Sequence, residues 1–484
     1  MRARLCLAVM LAAGIVGVPR PPAPQAAAQS HADPPSSTLD DQVDLALTVY
    51  NSDVALVRDV RNVQLPSGRF DLRFMDIAAT VNPATVHFRS LTEPGRVGVL
   101  EQNYEYDLLD PDRLLRKYVG RDVTLVRTRT ENGSTREEEV KARLLSDNSG
   151  PVWRIGGEIV TGIDASHLRF PEVPDTLYTR PTLIWTLDNS GGARHRVEAT
   201  YLAHKLSWNA DYVLTVGRDD ASADLDGWVT LTNNSGTAFR HASLQLVAGD
   251  LHRIAPTARN AMELDMAVAK SAAAAPIAQE SFSEYHLYTL GRKTTINNSE
   301  TKQVSMLSAT GIPVTKRYVV DGQAWYYRNA SHPGAPIKDD VQVLYQFRND
   351  QKSGLGMPMP AGALRVYQAD SSGHLQFVGE DRIDHTPKDE TLKILIGHAF
   401  DVVCERNQTD FRKIAAGTYE LEYEITLRNH KAVPVTVEVN EPIGGTWEML
   451  RSSHPWQKTA AWASQFTVPL AADGTSVLRY RVRV

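Results

Sequence analysis

The densest group of chemically capable side chains is Glu380, Asp381, Asp384, His385, Asp389 and Glu390. Carboxylates beside an imidazole can hold a divalent cation or serve as general acid and base. Asp384 and His385 are adjacent, so on a strand they point to opposite faces, and Thr386-Pro387 forces an extended or turned path directly after them. Two readings stand. In one, Glu380, Asp381, Asp384, His385 and Glu390 form a ligand or catalytic site. In the other they belong to a structural loop whose acids are solvated or cap backbone donors. A second acidic group, Asp219, Asp220, Asp224 and Asp226, precedes Gly227 and partly imitates a calcium loop. Asn233 stands where the bidentate Glu of such a loop is required, so an acidic hairpin turn is the expectation there.

A third group is aromatic. Trp325, Tyr326, Tyr327 and Arg328, and further on Trp447, Trp456 and Trp462, can stack on a sugar ring. On alternating strands such residues more often fill cores and cross-strand pairs. The familiar catalytic signatures are missing: there is no Gly-x-Ser-x-Gly, His-Glu-x-x-His, Gly-x-x-x-x-Gly-Lys or Cys-x-x-Cys. Triads can still assemble from distant positions. From the sequence we assign no catalytic residue, no metal ligand and no cofactor.

The elements that would position these groups are strands. Val341, Val343, Tyr345 and Phe347 alternate with Gln342, Gln346 and Arg348, Leu344 being the exception, which is the period of a half-buried strand. Further strands are predicted at 364–368, 375–378 and 392–396, with Asp370-Ser-Ser-Gly373 as a turn. Toward the C-terminus Tyr419, Leu421, Tyr423, Ile425 and Leu427 alternate with Glu420, Glu422, Glu424 and Thr426. The last strand alternates Leu478, Tyr480, Val482 and Val484 with Arg479, Arg481 and Arg483, so its Arg face could meet the Glu face. Val433, Val435, Val437 and Val439 form another strand, and Pro434 argues for a sheet edge, open to a partner strand.

One helix is marked, with Asp110 as cap, Pro111 at the first position, Leu114, Leu115 and Tyr118 as its apolar face and Gly120 as its stop. Strands on either side of Asn132-Gly133 predict a hairpin, and a small twisted barrel over 120–164 would accommodate it. The fold class expected is mainly β: several antiparallel, immunoglobulin-like sandwich units, a small inserted barrel-like β region and one short helix.

The 484 residues suggest about three domains at roughly 100–200 residues each. Residues 1–28 read as a signal peptide: Arg2 and Arg4 precede a short apolar run, and Ala26-Ala27-Ala28 offers a cleavage site. The run is too short for a comfortable membrane span, and no later segment is long and apolar enough. Residues 29–42 form a disordered lead-in and 43–174 an N-terminal β domain carrying the insert. The central sandwich begins over 175–252, is interrupted by an Ala-rich linker or insert at 253–280, and continues over 281–415. Residues 416–484 make an immunoglobulin-like domain. After signal cleavage Cys404 is the only cysteine, so the cores alone must hold the fold. It follows an apolar run and reads as a buried structural thiol.

Several phrases together resemble the bacterial exported family catalogued as domain of unknown function 4139. They are 201–212 (YLAHKLSWNADY), 225–228 (LDGW), 233–236 (NNSG), 284–290 (EYHLYTL), 354–362 (GLGMPMPAG), 378–381 (VGED) and 385–387 (HTP). The likeness is to residues 182–484, with 43–174 resembling the head of longer members. The family includes relatives described as mucoidy inhibitors, which implies an envelope context; it implies no reaction, and this chain lacks their long heptad-bearing coiled coil. The net charge of −5 and the lack of a basic stripe argue against nucleic acid. The expectation is an exported protein, periplasmic or extracellular, that binds an envelope protein or glycan without catalysis. The rival is an envelope hydrolase or metal-dependent enzyme with its site in an interdomain cleft.

Overall fold

The computed structural model describes residues 34–105, 109–131, 134–163, 167–174, 177–249, 277–282, 284–330 and 336–484. The expected signal peptide, residues 29–33 of the lead-in and residues 253–276 of the expected linker lie outside them. The rest of the lead-in, expected to be disordered, is ordered instead: Ser36–Ser37 pairs in parallel with Gly68–Met75, and Leu39–Asp41 forms a 3₁₀ turn capped by Thr38. Within them the chain is mainly β, with several sheets and a single α-helix, Pro111–Lys117. Among the described residues no sheet closes into a barrel, and no helix is long and apolar enough to cross a membrane.

Three sheets surround one continuous core, to which Tyr345, Phe347, Leu392 and Ile394 of a fourth sheet also contribute. The first orders Ser36–Ser37, Gly68–Met75, Thr182–Asn189 and Val97–Glu105; a larger sheet is centred on Gln42–Tyr50, Val54–Gln64 and Arg194–His204. The third orders Glu300–Pro313, Ser222–Asn233, Leu206–Val216, Gly362–Ala369 and Leu375–Ile383. Alternation explains the packing: every second residue of Leu206–Val216, from Leu206 through Trp208, Ala210, Tyr212 and Leu214 to Val216, is buried. Each such aliphatic side chain contributes about 1.5–3 kcal/mol by leaving water. Trp185 and Trp208 are buried with their indole N–H groups donating to Gln102 Oε1 (2.8 Å) and the Val247 carbonyl (3.3 Å).

A second core lies between two further sheets. One runs Thr391–His398, Gln342–Arg348, Thr315–Asp321, Val435–Glu441, Ala463–Leu470, Trp456–Ala460; the other runs Ile337–Asp339, Val402–Ala415, Thr418–Asn429, Thr475–Arg483, Glu448–Ser452. The C-terminal sandwich therefore takes in strands from 315 onward as well as the chain beyond 416. Its Glu and Arg faces do meet: Glu420, Glu422 and Glu424 stand opposite Arg483, Arg481 and Arg479, with N–O distances of 2.8, 2.9 and 2.7 Å. Such cross-strand pairs stabilise by about 0.2–1 kcal/mol each.

Two further expectations need correction. The strand near Val433–Val439 is not an edge: Val435–Glu441 pairs with Thr315–Asp321 in parallel on one side and with Ala463–Leu470 on the other. Pro434 precedes the first paired residue, so its missing N–H removes no ladder bond. The small insert is a separate five-stranded sheet with its own core of Tyr118, Val123, Leu125, Ala142, Leu144 and Trp153, but it is open, ending at Glu158–Thr161 and His167–Arg169. The helix that packs on it is capped by Asp110, which accepts from Arg113 N at 2.8 Å. The linker gives way to a paired strand, Ile277–Phe282. The sheets are antiparallel except at four pairings among the described residues.

Four buried asparagines repeat one device. Asn189, Asn233, Asn349 and Asn429 each stand at a strand's end, two residues after a buried Leu or Phe. Each amide nitrogen donates to two carbonyls: Leu65 and Gly192, Thr237 and Asn297, Met357 and Pro387, Val433 and Ala471. Each amide oxygen accepts a backbone N–H from the turn that follows, at Gly191, Ser235, Gly356 or Lys431. One side chain thus satisfies three backbone groups that burial would otherwise leave without partners.

Cys404 lies in the second core, and burial pushes its thiol from the ordinary 9.0 up to about 12. The unfolded chain would release this proton near 9.0 and the folded chain near 12, so the thiol's contribution to stability is present below pH 9 and is lost as pH rises toward 12. We expect no reaction with a thiol reagent at pH 8 until denaturant is added; rapid labelling of the native protein would contradict this burial.

Candidate functional site

The structure separates the acidic group around His385. Glu380 faces Arg365 at 3.4 Å, both largely exposed. Asp381 accepts from Arg382 N and Leu395 N, each at 2.8 Å. Leu395 adjoins a bulge where the register of Thr391–His398 skips Ile396, and Asp381 takes the N–H there. At Gly379 a Cβ would lie 2.4 Å from the Ile396 carbonyl oxygen, so only glycine lets the two strands approach this closely. Asp381 thus joins a sheet of the first core to a sheet of the second. Asp389 has a left-handed backbone (φ 66°) and donates its N–H to the Asn349 carbonyl at 2.7 Å.

Asp384, His385 and Glu390 do line one shallow opening of about 460 Å³, together with Arg382 and Lys393. His385 Nδ1 accepts from Ala361 N at 3.2 Å. In the neutral ring Nε2 must then carry the proton, which makes the free nitrogen a donor and unsuited to act as a base. Among the described residues no three His, Cys, Asp or Glu side chains converge as a metal site would need.

The acids near Gly227 also disperse. Asp224 accepts from Gly311 N at 2.9 Å and Asp226 from Ser308 Oγ at 2.7 Å. Asp220 binds Lys316 (3.0 Å), Gln368 (2.9 Å) and the Tyr345 hydroxyl. Burial disfavours its charge, but those donors outweigh burial and hold the carboxyl below its usual range. We expect Asp384→Ala and Glu390→Ala to change stability by less than about 0.5 kcal/mol. Asp381→Ala should cost about 1–2 kcal/mol by leaving the Leu395 N–H without its carboxylate. Urea denaturation of the three variants separates these outcomes.

The aromatic group fares differently. Tyr326 and Tyr327 are buried, but Trp325, Trp456 and Trp462 are 53%, 39% and 66% exposed. The expectation that such aromatics fill cores fails for these three. Only Trp456 stands on a strand, Trp456–Ala460, while Trp325 and Trp462 lie in turns, where alternation says nothing about burial. The short 3₁₀ turn Ala324–Tyr327 turns Tyr327 inward and leaves Trp325 outside. The turn at Gly444-Gly445 (φ 76° at Gly445) delivers Trp447, whose indole donates to the Ala461 carbonyl at 3.0 Å. Trp456 lies 5.8 Å from Trp447, and the Lys458 ammonium sits 4.7 Å from the Trp447 ring centre.

Between these elements lies an open cavity of about 680 Å³, lined among others by Tyr327, Arg328, Thr418, Trp447, Glu448 and Arg483. Behind it Tyr327 anchors a buried network. Its hydroxyl bonds Glu441 and, at 2.7 Å, the Tyr480 hydroxyl. Arg406, wholly buried, donates to Glu441 Oε1 (2.6 Å) and Asp339 Oδ2 (2.7 Å), with its guanidinium 4.8 Å from the Tyr326 ring centre. Although burial disfavours the Arg406 cation, the surrounding Glu441, Tyr480, Asp339 and Tyr327 raise its pKa well above the ordinary value. A Cβ on Gly322 would lie 2.4 Å from Glu441 Oε2, so glycine is what leaves room for this carboxylate. The network fixes the cavity's wall from within.

Neither Glu441 nor Arg406 stood out in the sequence; the weak signal was charged residues within otherwise apolar alternation. Comparison with protein-family models and with curated proteins found no match to this chain.

Proposed function

We propose that this chain is a non-enzymatic exported binding protein of the cell envelope, and that it holds a glycan at the cavity beside Trp447. The observation that carries the reading is this cavity: an aromatic ring and polar side chains set around an open space on a rigid wall. That is the composition of a small-ligand site. Flat apolar faces of a sugar can lie on indole, while its hydroxyls meet the surrounding polar groups. The acidic group offers no comparable arrangement, since Asp381 is engaged with backbone donors and His385 presents a donor. Export rests on the pattern of residues 1–28, and the envelope setting on the resemblance to domain of unknown function 4139.

The test is titration of the purified chain with defined oligosaccharides, followed by tryptophan fluorescence. A saturable change is expected, weakened at least about tenfold by Trp447→Ala, as for a central aromatic contact. Undiminished binding by Trp447→Ala, or sugar binding to no form of the protein, would contradict the assignment.

A further inference from the structure

Within the glycan-binding reading, on which this inference rests, the charges around the cavity select a class of sugar. Arg483 is occupied, meeting Glu420 at 2.8 Å and Glu448 at 3.3 Å. Glu448, the acid in the cavity lining, shares that arginine with Glu420. Arg328 is different: it is exposed, it lines the cavity, and among the described residues its guanidinium has no carboxylate or other hydrogen-bond partner. A second cation, Lys458, is exposed and engages only the face of Trp447 among the described residues. Arg328 and Lys458 are thus two cations beside the cavity with no paired acid among the described residues, in a chain whose net charge is −5.

We propose that the ligand is an acidic saccharide, a uronic-acid-containing glycan whose ring carboxylate pairs with Arg328 while its apolar face lies against Trp447. A guanidinium presents a planar fork of donors that matches a carboxylate through two parallel bonds, and an unpaired arginine at a pocket wall is suited to that geometry. Lys458 adds positive potential beside the same ring, which favours an anionic polymer over a neutral one.

The experiment titrates the full chain with α-1,4-linked tetragalacturonate, its methyl ester and the matching neutral galactose tetramer. The acid is expected to bind at least about tenfold more tightly than the ester or the neutral sugar, with the difference shrinking as salt is raised. Arg328→Gln should weaken that preference while leaving the circular dichroism spectrum unchanged, because the exposed guanidinium makes no hydrogen bond or ion pair among the described residues. Equal binding of acidic and neutral sugars, or an unaltered preference in Arg328→Gln, would overturn the acidic-sugar inference and leave the glycan reading standing. Binding of none of the three would overturn both.

Discussion

Glu441→Ala is expected to destabilise the C-terminal sandwich by about 3 kcal/mol, the cost of taking from a buried cation one of its two carboxylates and leaving it Asp339 alone. Glu441 is wholly buried and holds Arg406 on one side and the Tyr327 hydroxyl on the other. Arg406→Met alone should be comparably damaging, because Glu441 and Asp339 would then be the uncompensated charges. Combining Arg406→Met with Glu441→Leu should recover part of the loss, because the Arg406–Glu441 pair is then removed together and Asp339 alone is left of the three charges. Urea unfolding gives the test, with strong non-additivity as the signature of a direct pair. Additive effects, or a single-variant cost below about 1 kcal/mol, would show that the network is not what holds this core together. Because two large cores exist, the transition affected should be that of the second core, and a single two-state fit need not describe the whole chain.

The second large effect is expected at Asn349. Asn349→Ala should cost about 2–4 kcal/mol, because it strips partners from the Gly356 N–H and the Met357 and Pro387 carbonyls at a fully buried position. Both the 354–360 and the 386–390 loops depend on this one side chain. Limited proteolysis should therefore show new cleavage in these loops before any elsewhere, and unchanged cleavage kinetics would refute the clamp role.

The strands were legible because burial writes itself into alternation. Val341, Val343, Tyr345 and Phe347 are all buried, as their spacing predicts. The Glu420–Glu424 face and the Arg479–Arg483 face meet in register for the same reason. Pairing over distance was not legible. Val435–Glu441 joins Thr315–Asp321, more than a hundred residues earlier, and nothing local to Pro434 reports that partner. The asparagine clamps were missed because an Asn at a strand end reads as ordinary turn chemistry. Only the structure shows that its amide reaches a second, remote loop. At the candidate site the sequence offered both the acids and the tryptophans. Its order could not show that Asp381 spends its oxygens on backbone N–H groups, or that no layer covers Trp456 and Trp462.

The most direct test of the central claim is to incubate the full chain with tetragalacturonate, measure binding by equilibrium dialysis, and analyse the recovered sugar by mass spectrometry. The account predicts saturable binding, with the oligosaccharide returned intact by wild type and by Glu380→Ala and His385→Ala variants alike. Shortened products that disappear when Glu380 or His385 is replaced would contradict it and make the chain a hydrolase.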